Sequence, residues 1–282
     1  MNDSGVILNR KMKIKRTLLF VLLLIVAVIY LLPIFFVILT AFKTDAEISL
    51  QNFKWLPKSL DLSNFANAWA MADWIKAFAN SLITTLSVVI ISVLINTVAG
   101  YAFARLRFRG NQVLFVILLM GMMVPAQAIA IPQFMIIRGM GLYNTLTGVV
   151  LCFLSAPMGV FLSKTFYTTF PAELDESAKL DGCTPLATYL RIYMPMSSTL
   201  FATMIILKSV QVWNDFFYPL IMTSSEKLKT VQLALQLFKG STTTHYNWLM
   251  AATLFTSLPM VILYFCAQKY FVAGIQTTGM KN

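Results

Sequence analysis

From Leu18 to Phe42 the chain runs twenty-five residues without a charge, LLFVLLLIVAVIYLLPIFFVILTAF. As a helix this run is about 37 Å long at 1.5 Å per residue, more than the roughly 30 Å of a bilayer's hydrocarbon core. Five further apolar runs follow: Ser81 to Phe103, Val113 to Ile137, Leu146 to Phe166, Thr199 to Met222 and Trp248 to Phe271. With 58% hydrophobic and only 12% charged residues, the chain has too little polar surface to coat a soluble globule. The runs lack the polar/apolar alternation of a membrane barrel, and hydrocarbon offers the backbone no other partners, so they are expected to be helices. The sequence therefore predicts an all-α polytopic membrane protein, with residues 1–17 a basic N-terminal segment and 18–282 one domain of six transmembrane helices. Pro33, Pro125, Pro132, Pro157, Pro219 and Pro259 fall inside or near the ends of these runs and predict kinks.

The net charge of +11 is distributed in a way that speaks for a membrane rather than nucleic acid. Basic clusters at Arg10 to Arg16 and Arg105 to Arg109 abut the first two runs on the same side. Placing that side in the cytoplasm puts thirteen Lys and Arg inside and eight outside, and places both termini in the cytoplasm. The first run is too long for a secretory signal core and no small-residue cleavage site follows it, so it reads as a retained anchor. Trp55, Trp69 and Trp74 in the following outer segment read as interfacial anchors.

Catalytic constellations are missing. Cys152, Cys183 and Cys266 are far apart with no C-x-x-C, and His245 is the one histidine, so no metal site, disulfide framework or cofactor is implied. No nucleotide-binding G-x-x-x-x-G-K-[ST] occurs. If ATP drives this protein, another chain binds it.

Between the fourth and fifth runs lies a charged island, Pro171 to Pro195, PAELDESAKLDGCTPLATYLRIYMP. Pro171 suits a first helical position, and Glu173, Asp175 and Glu176 favour the positive end of a helix dipole. Gly182 can end that helix in the left-handed conformation. Thr184 and Pro185 then read as the cap and first residue of a second helix, with Leu186, Tyr189, Leu190 and Tyr193 on one apolar face. The island is expected to be two short helices hinged at Asp181-Gly182, whether as an ordered surface loop or as a docking element.

Glu176-Ser177-Ala178, then Asp181-Gly182, then Ile192-Tyr193-Met194-Pro195 resemble the EAA loop of ABC importer permease subunits. Ser177 stands for the usual Ala, Met194 for Leu and Cys183 for Ala. Asn80-Ser81, Trp213-Asn214-Asp215-Phe216 with Pro219-Leu220, Ala251-Ala252 with Pro259, Gln268-Lys269-Tyr270, Gly274 and Gly279-Met280-Lys281 extend the likeness over the chain, to carbohydrate-uptake (MalG-like) subunits. The resemblance implies a type I ABC importer permease, non-catalytic, with no cofactor of its own. Implied partners are a second permease subunit, ABC ATPase subunits at the 171–195 loop, and an extracytoplasmic solute-binding protein, reached by the segment Thr223 to Asn247. Glu173, Glu176, Ser177, Ala178, Asp181 and Gly182 are then the expected ATPase-coupling residues. Within that set Glu176 supplies a charge-assisted contact, Ala178 allows close approach and Gly182 sets the interhelix angle.

Lys208 falls near the middle of the fifth run, where an ionisable group is costly. It reads either as a structural contact or as part of the translocation path. Asn214 and Asp215 read as helix-end anchors or as lining for the outer path. A secondary transporter of a small polar solute is the alternative class, but inverted repeats and mid-span coupling acids are not evident.

Overall fold

A computed structural model describes residues 3–48, 54–154, 156–239 and 244–279, with the backbone alone for 3–12, 14 and 269–279. The Met280-Lys281 tail and 240–243 of the outer segment lie outside the described residues. Among the described residues all regular structure is helical apart from one isolated bridge, Lys239 to Thr244. Among the described residues three stretches are long and apolar enough to cross a membrane unbroken: Lys15–Ala41, Trp74–Arg105 and Tyr246–Gln268. Three bent pairs of helices also qualify if each pair is one crossing.

The chain divides into two compact units, one of residues 1–72 with 237–256 and one of 73–236 with 257–282. The first contains α1 (Asp3–Ala41), α2 (Asp45–Ile48) and α3 (Ser63–Ala70). Every large apolar side chain from Leu18 to Leu24 on α1 is exposed, as expected for a surface facing hydrocarbon rather than water. The end of α1 leaves orphan carbonyls, and buried Asn64 answers them: its Nδ2 donates to Ala41 O (3.0 Å) and Lys43 O (2.9 Å). Asn247 Nδ2 donates in turn to Asn64 Oδ1 at 3.0 Å. The Glu47 carboxylate accepts the Lys58 and Thr44 N–H groups, which hold its pKa below the usual carboxylate range.

The second unit is built around α4 (Trp74–Arg105), capped by Asp73 accepting from the Lys76 N–H. Its start lies seven residues before the expected one. There follow α5 (Asn111–Met120), α6 (Ala130–Gly139), α7 (Leu146–Cys152), α8 (Pro157–Thr168), α9 (Glu173–Leu180), α10 (Pro185–Thr188), α11 (Ser198–Trp213), α12 (Phe217–Met222) and α13 (Val231–Leu235). The last helix, α14 (Tyr246–Gly279), supplies its first turns to the first unit. In hydrocarbon no hydrophobic force drives helices together, so small residues that permit close approach carry the packing. Against α4, a Cβ on Gly159 would fall 2.6 Å from Asn96 Nδ2, and one on Gly100 would overlap the Ser163 side chain.

Prolines do more here than kink. Pro33 and Pro259 sit inside α1 and α14 without dividing them. Val124-Pro125, by contrast, splits the expected run Val113 to Ile137 into halves at 98°. Val124 is extended, as a residue before proline prefers. Pro157 opens α8 at its first turn, and α8 is a helix separate from α7. Of the three tryptophans expected at the interface, Trp74 is buried, whereas Trp55 and Trp69 are both exposed, Trp69 with one edge-on contact to Phe255.

Candidate functional site

The island is a hairpin of α9 and α10. Pro171 precedes the helix rather than opening it: α9 begins at Glu173 with Ala172 as N-cap. At the other end Gly182 is left-handed, with φ +71°. Its N–H donates to Lys179 O (3.0 Å) and the Cys183 N–H to Ala178 O (2.9 Å), the paired bonds of a Schellman cap. Thr184 Oγ1 accepts from the Ala187 N–H, and Pro185 occupies the first turn of α10.

Helical spacing sorts α9 into two faces. Glu173, Glu176, Ser177 and Leu180, at i, i+3, i+4 and i+7, are exposed, and Leu180 is 89% exposed. Ala178 is 1% exposed, buried within this chain. The close approach allowed by Ala178 is therefore to its own unit, which corrects the role expected for it. Asp181 and Gly182 are exposed at the tip.

The expected apolar stripe on the second helix is also different. Tyr189 and Tyr193 are buried while Leu186 and Leu190 are 59% and 48% exposed. After α10 the backbone widens into a π-turn over Tyr189–Tyr193, which rotates the side chains that follow. The buried pair joins Tyr101 and Tyr167 in an aromatic cluster, with Tyr193 4.9 Å from Tyr101 and 5.6 Å from Tyr167.

Sequence reasoning missed the residues that fix this hairpin. Arg105, in the last turn of α4, donates through Nε to Asp175 Oδ2 (2.7 Å), through Nη1 to Phe170 O (3.0 Å) and through Nη2 to Pro171 O (2.9 Å). Asp175 Oδ1 accepts from the Tyr193 hydroxyl at 2.9 Å, so one carboxylate ties α9 both to α4 and to the second helix. Removing one partner of a buried ion pair costs about 3–5 kcal/mol. Asp175 keeps 22% of its side-chain exposure, which puts this pair toward the lower end. A groove of about 740 Å³ runs beside the hairpin, lined by Arg105, Arg107, Asp175, Glu176, Lys179 and Cys183 among others.

The expected path residues do not all meet. Lys208 Nζ donates to Gln211 Oε1 (3.1 Å), and Gln211 on α11 and Asn214 at its C-cap are exposed. Asn214 Oδ1 accepts from Gln232 Nε2 at 3.4 Å. These residues form a polar stripe at three-residue spacing, and Gln211, which sequence reasoning missed, is legible only by that spacing. Lys208 and Gln211 border a cavity of about 90 Å³ with Ser92, Asn96 and Gly159. Asp215 lies past the end of α11, where its Oδ1 accepts from the Tyr218 N–H (2.8 Å) and caps α12.

Among the described residues, helices apolar enough to cross a membrane are combined with a polar hairpin braced by Arg105 and Asp175. Residues 96–277 match the family of binding-protein-dependent transport system inner membrane components. The chain is similar to the arabinooligosaccharides transport system permease protein AraQ of Bacillus subtilis, 32% identical with 96% of each chain covered. It is also similar to the melibiose/raffinose/stachyose import permease protein MelC of that organism, 29% identical over 92% of this chain and 94% of that one. In fold it resembles a chain of a bacterial ABC transporter that imports alginate, with a TM-score of 0.78 at 23% identity, covering 93% of this chain and 98% of that one. The chain belongs to the binding-protein-dependent transport system inner membrane component family, and is a non-catalytic permease subunit of an ABC importer.

Proposed function

We propose that this permease subunit imports an oligosaccharide and that an ATPase grips it at the α9–α10 hairpin from the cytoplasm. The oligosaccharide reading is supported by the names of the relatives, which transport arabinooligosaccharides, melibiose, raffinose or stachyose. An even number of crossings, with the last part of the chain before α11 kept outside the bilayer, supports a common side for both termini and the hairpin, and the basic clusters Arg10 to Arg16 and Arg105 to Arg109 favour the cytoplasm as that side. The observation that carries the docking reading is the outward face of α9. Three polar residues and a leucine that is 89% exposed project from a backbone braced at both ends. A leucine in that position gains little until a partner covers it, and burial then contributes about 1.5–3 kcal/mol.

Leu180→Asp is expected to leave the fold intact, because the side chain touches solvent, and to cut ATPase recovery in co-purification at least about tenfold, the equivalent of 1.4 kcal/mol. Undiminished recovery would overturn the docking reading. Uptake of labelled arabinotriose, raffinose and maltotriose tests the substrate class, and uptake of none of them counts against an oligosaccharide.

For the path, Lys208, Gln211 and Asn214 line one side, and Asp215 serves the helix end. A polar stripe exposed on an apolar helix is costly against lipid and suits a water-filled passage or a second permease subunit. Cysteines placed one at a time at Gln211 and Asn214 are expected to react with a membrane-impermeant thiol reagent from outside, and one at Ser177 only from inside. Reaction of Ser177→Cys from outside would invert the proposed orientation, and inert cysteines at both other sites would remove the stripe from the path.

A further inference from the structure

One face of α4 holds both helices of the hairpin. Thr97 Oγ1 and the Tyr189 hydroxyl are hydrogen-bonded at 2.7 Å, Tyr101 packs on Tyr193, and Arg105 binds Asp175, at spacings of four residues. At its other end the same helix holds the segment that follows α12. Asn80 Nδ2 donates to Lys227 O (2.9 Å) and Lys229 O (3.0 Å), and Ser81 Oγ accepts from the Val231 N–H at 2.9 Å. Asn144 Oδ1 accepts from the N–H groups of Ser224 and Ser225, so this segment is pinned from two sides.

Asn80 and Arg105 are twenty-five residues apart on one unbroken helix, about 37 Å at 1.5 Å per residue. The helices joined to the hairpin through the chain are less direct. α8 is a separate helix of twelve residues with Pro157 in its first turn, and α11 meets the hairpin through a π-turn and a 49° bend. A break absorbs displacement locally, whereas an unbroken helix hydrogen-bonded at both ends moves as one body.

We propose that α4 is the strut that carries movement of the hairpin to the outer segment 224–231, with Arg105 and Asn80 as the positioning residues at its two ends. The proposal rests on the hairpin being the ATPase docking element. It gives Arg105 and Asn80, which lie at opposite ends of α4, one shared function.

The test uses the full permease complex with its ATPase in liposomes, with a spin label on Glu226→Cys after replacement of Cys152, Cys183 and Cys266. Glu226 is exposed, and its ion pair with Lys229 lies within the same segment, so a label there reports that segment. Adding a non-hydrolysable ATP analogue is expected to change the label's spectrum. Asn80→Ala and Arg105→Gln are each expected to reduce that change at least about fivefold, the low end of coupling between distant sites, while the ATPase still co-purifies and still binds the analogue. Arg105→Lys keeps the charge but not the fork that reaches three acceptors, and is expected to fall between. A full spectral change in Asn80→Ala and in either Arg105 variant would overturn the strut, as would an unchanged spectrum in the otherwise unmodified complex with the analogue bound. Failure of the docking reading is separate: it shows as an ATPase that co-purifies undiminished with Leu180→Asp.

Discussion

Replacing Gly182 with proline is expected to abolish uptake, whereas Gly182→Ala retains most of it. The backbone at Gly182 has φ +71°, and its N–H closes one of the two cap bonds of α9. Proline is locked near φ −65° and has no N–H, so it loses the turn and the bond together, a cost of about 3 kcal/mol or more. Nothing lies within 4 Å of a Cβ built at this glycine. Alanine therefore meets only the left-handed strain, about 1–2 kcal/mol. Because the defect is confined to the hairpin tip, the Gly182→Pro protein is expected to reach the membrane in normal amount while ATPase recovery collapses. Uptake at the unmodified rate by Gly182→Pro would show that the angle between α9 and α10 does not matter for coupling.

The largest expected loss of stability comes from Gly100→Leu, in the middle of the α4–α8 contact. A Cβ alone would overlap the Ser163 side chain and come within 2.8 Å of the Lys164 backbone nitrogen. Since backbone cannot swing aside as a flexible side chain can, the two helices must part. Overpacking of this kind costs about 1–3 kcal/mol, and more where the obstacle is main chain. Thermal unfolding in detergent is expected to begin well below that of the unmodified protein, with a reduced yield of folded subunit. Gly139→Ala is the matched control, because a Cβ there meets nothing within 4 Å and its φ is ordinary. Equal thermal stability of Gly100→Leu and the unmodified protein would contradict the packing described.

Much of the hairpin was legible because its rules are local. Gly182 at the cap, Thr184 as N-cap and Pro185 in the first turn each follow from the backbone chemistry of one or two residues. The face assignments on the second helix were not local. A regular α-helix over Leu186 to Tyr193 aligns two leucines with two tyrosines, and the π-turn at Tyr189–Tyr193 breaks that alignment. What selects the tyrosines for the interior is the surrounding cluster of Tyr101, Tyr167 and the Thr97 hydroxyl, contributed by residues tens of positions away. Asp215 shows the same limit in milder form: the sequence left it either a helix-end residue or a path residue, and only the fold shows its carboxylate accepting from the Tyr218 N–H at the start of α12.

By itself the sequence determined that this chain lives in a bilayer as helices, since hydrocarbon leaves an uncharged run no other way to satisfy its backbone. It also determined where one hairpin turns, because only glycine takes φ +71° without strain. Tertiary structure alone decided that Ala178 faces inward and that Arg105 reaches across seventy residues to Asp175. It alone decided, too, that one unbroken helix touches both the hairpin and the outer segment. Those outcomes depend on which distant side chains share a small volume, and no rule of spacing along one helix contains that information.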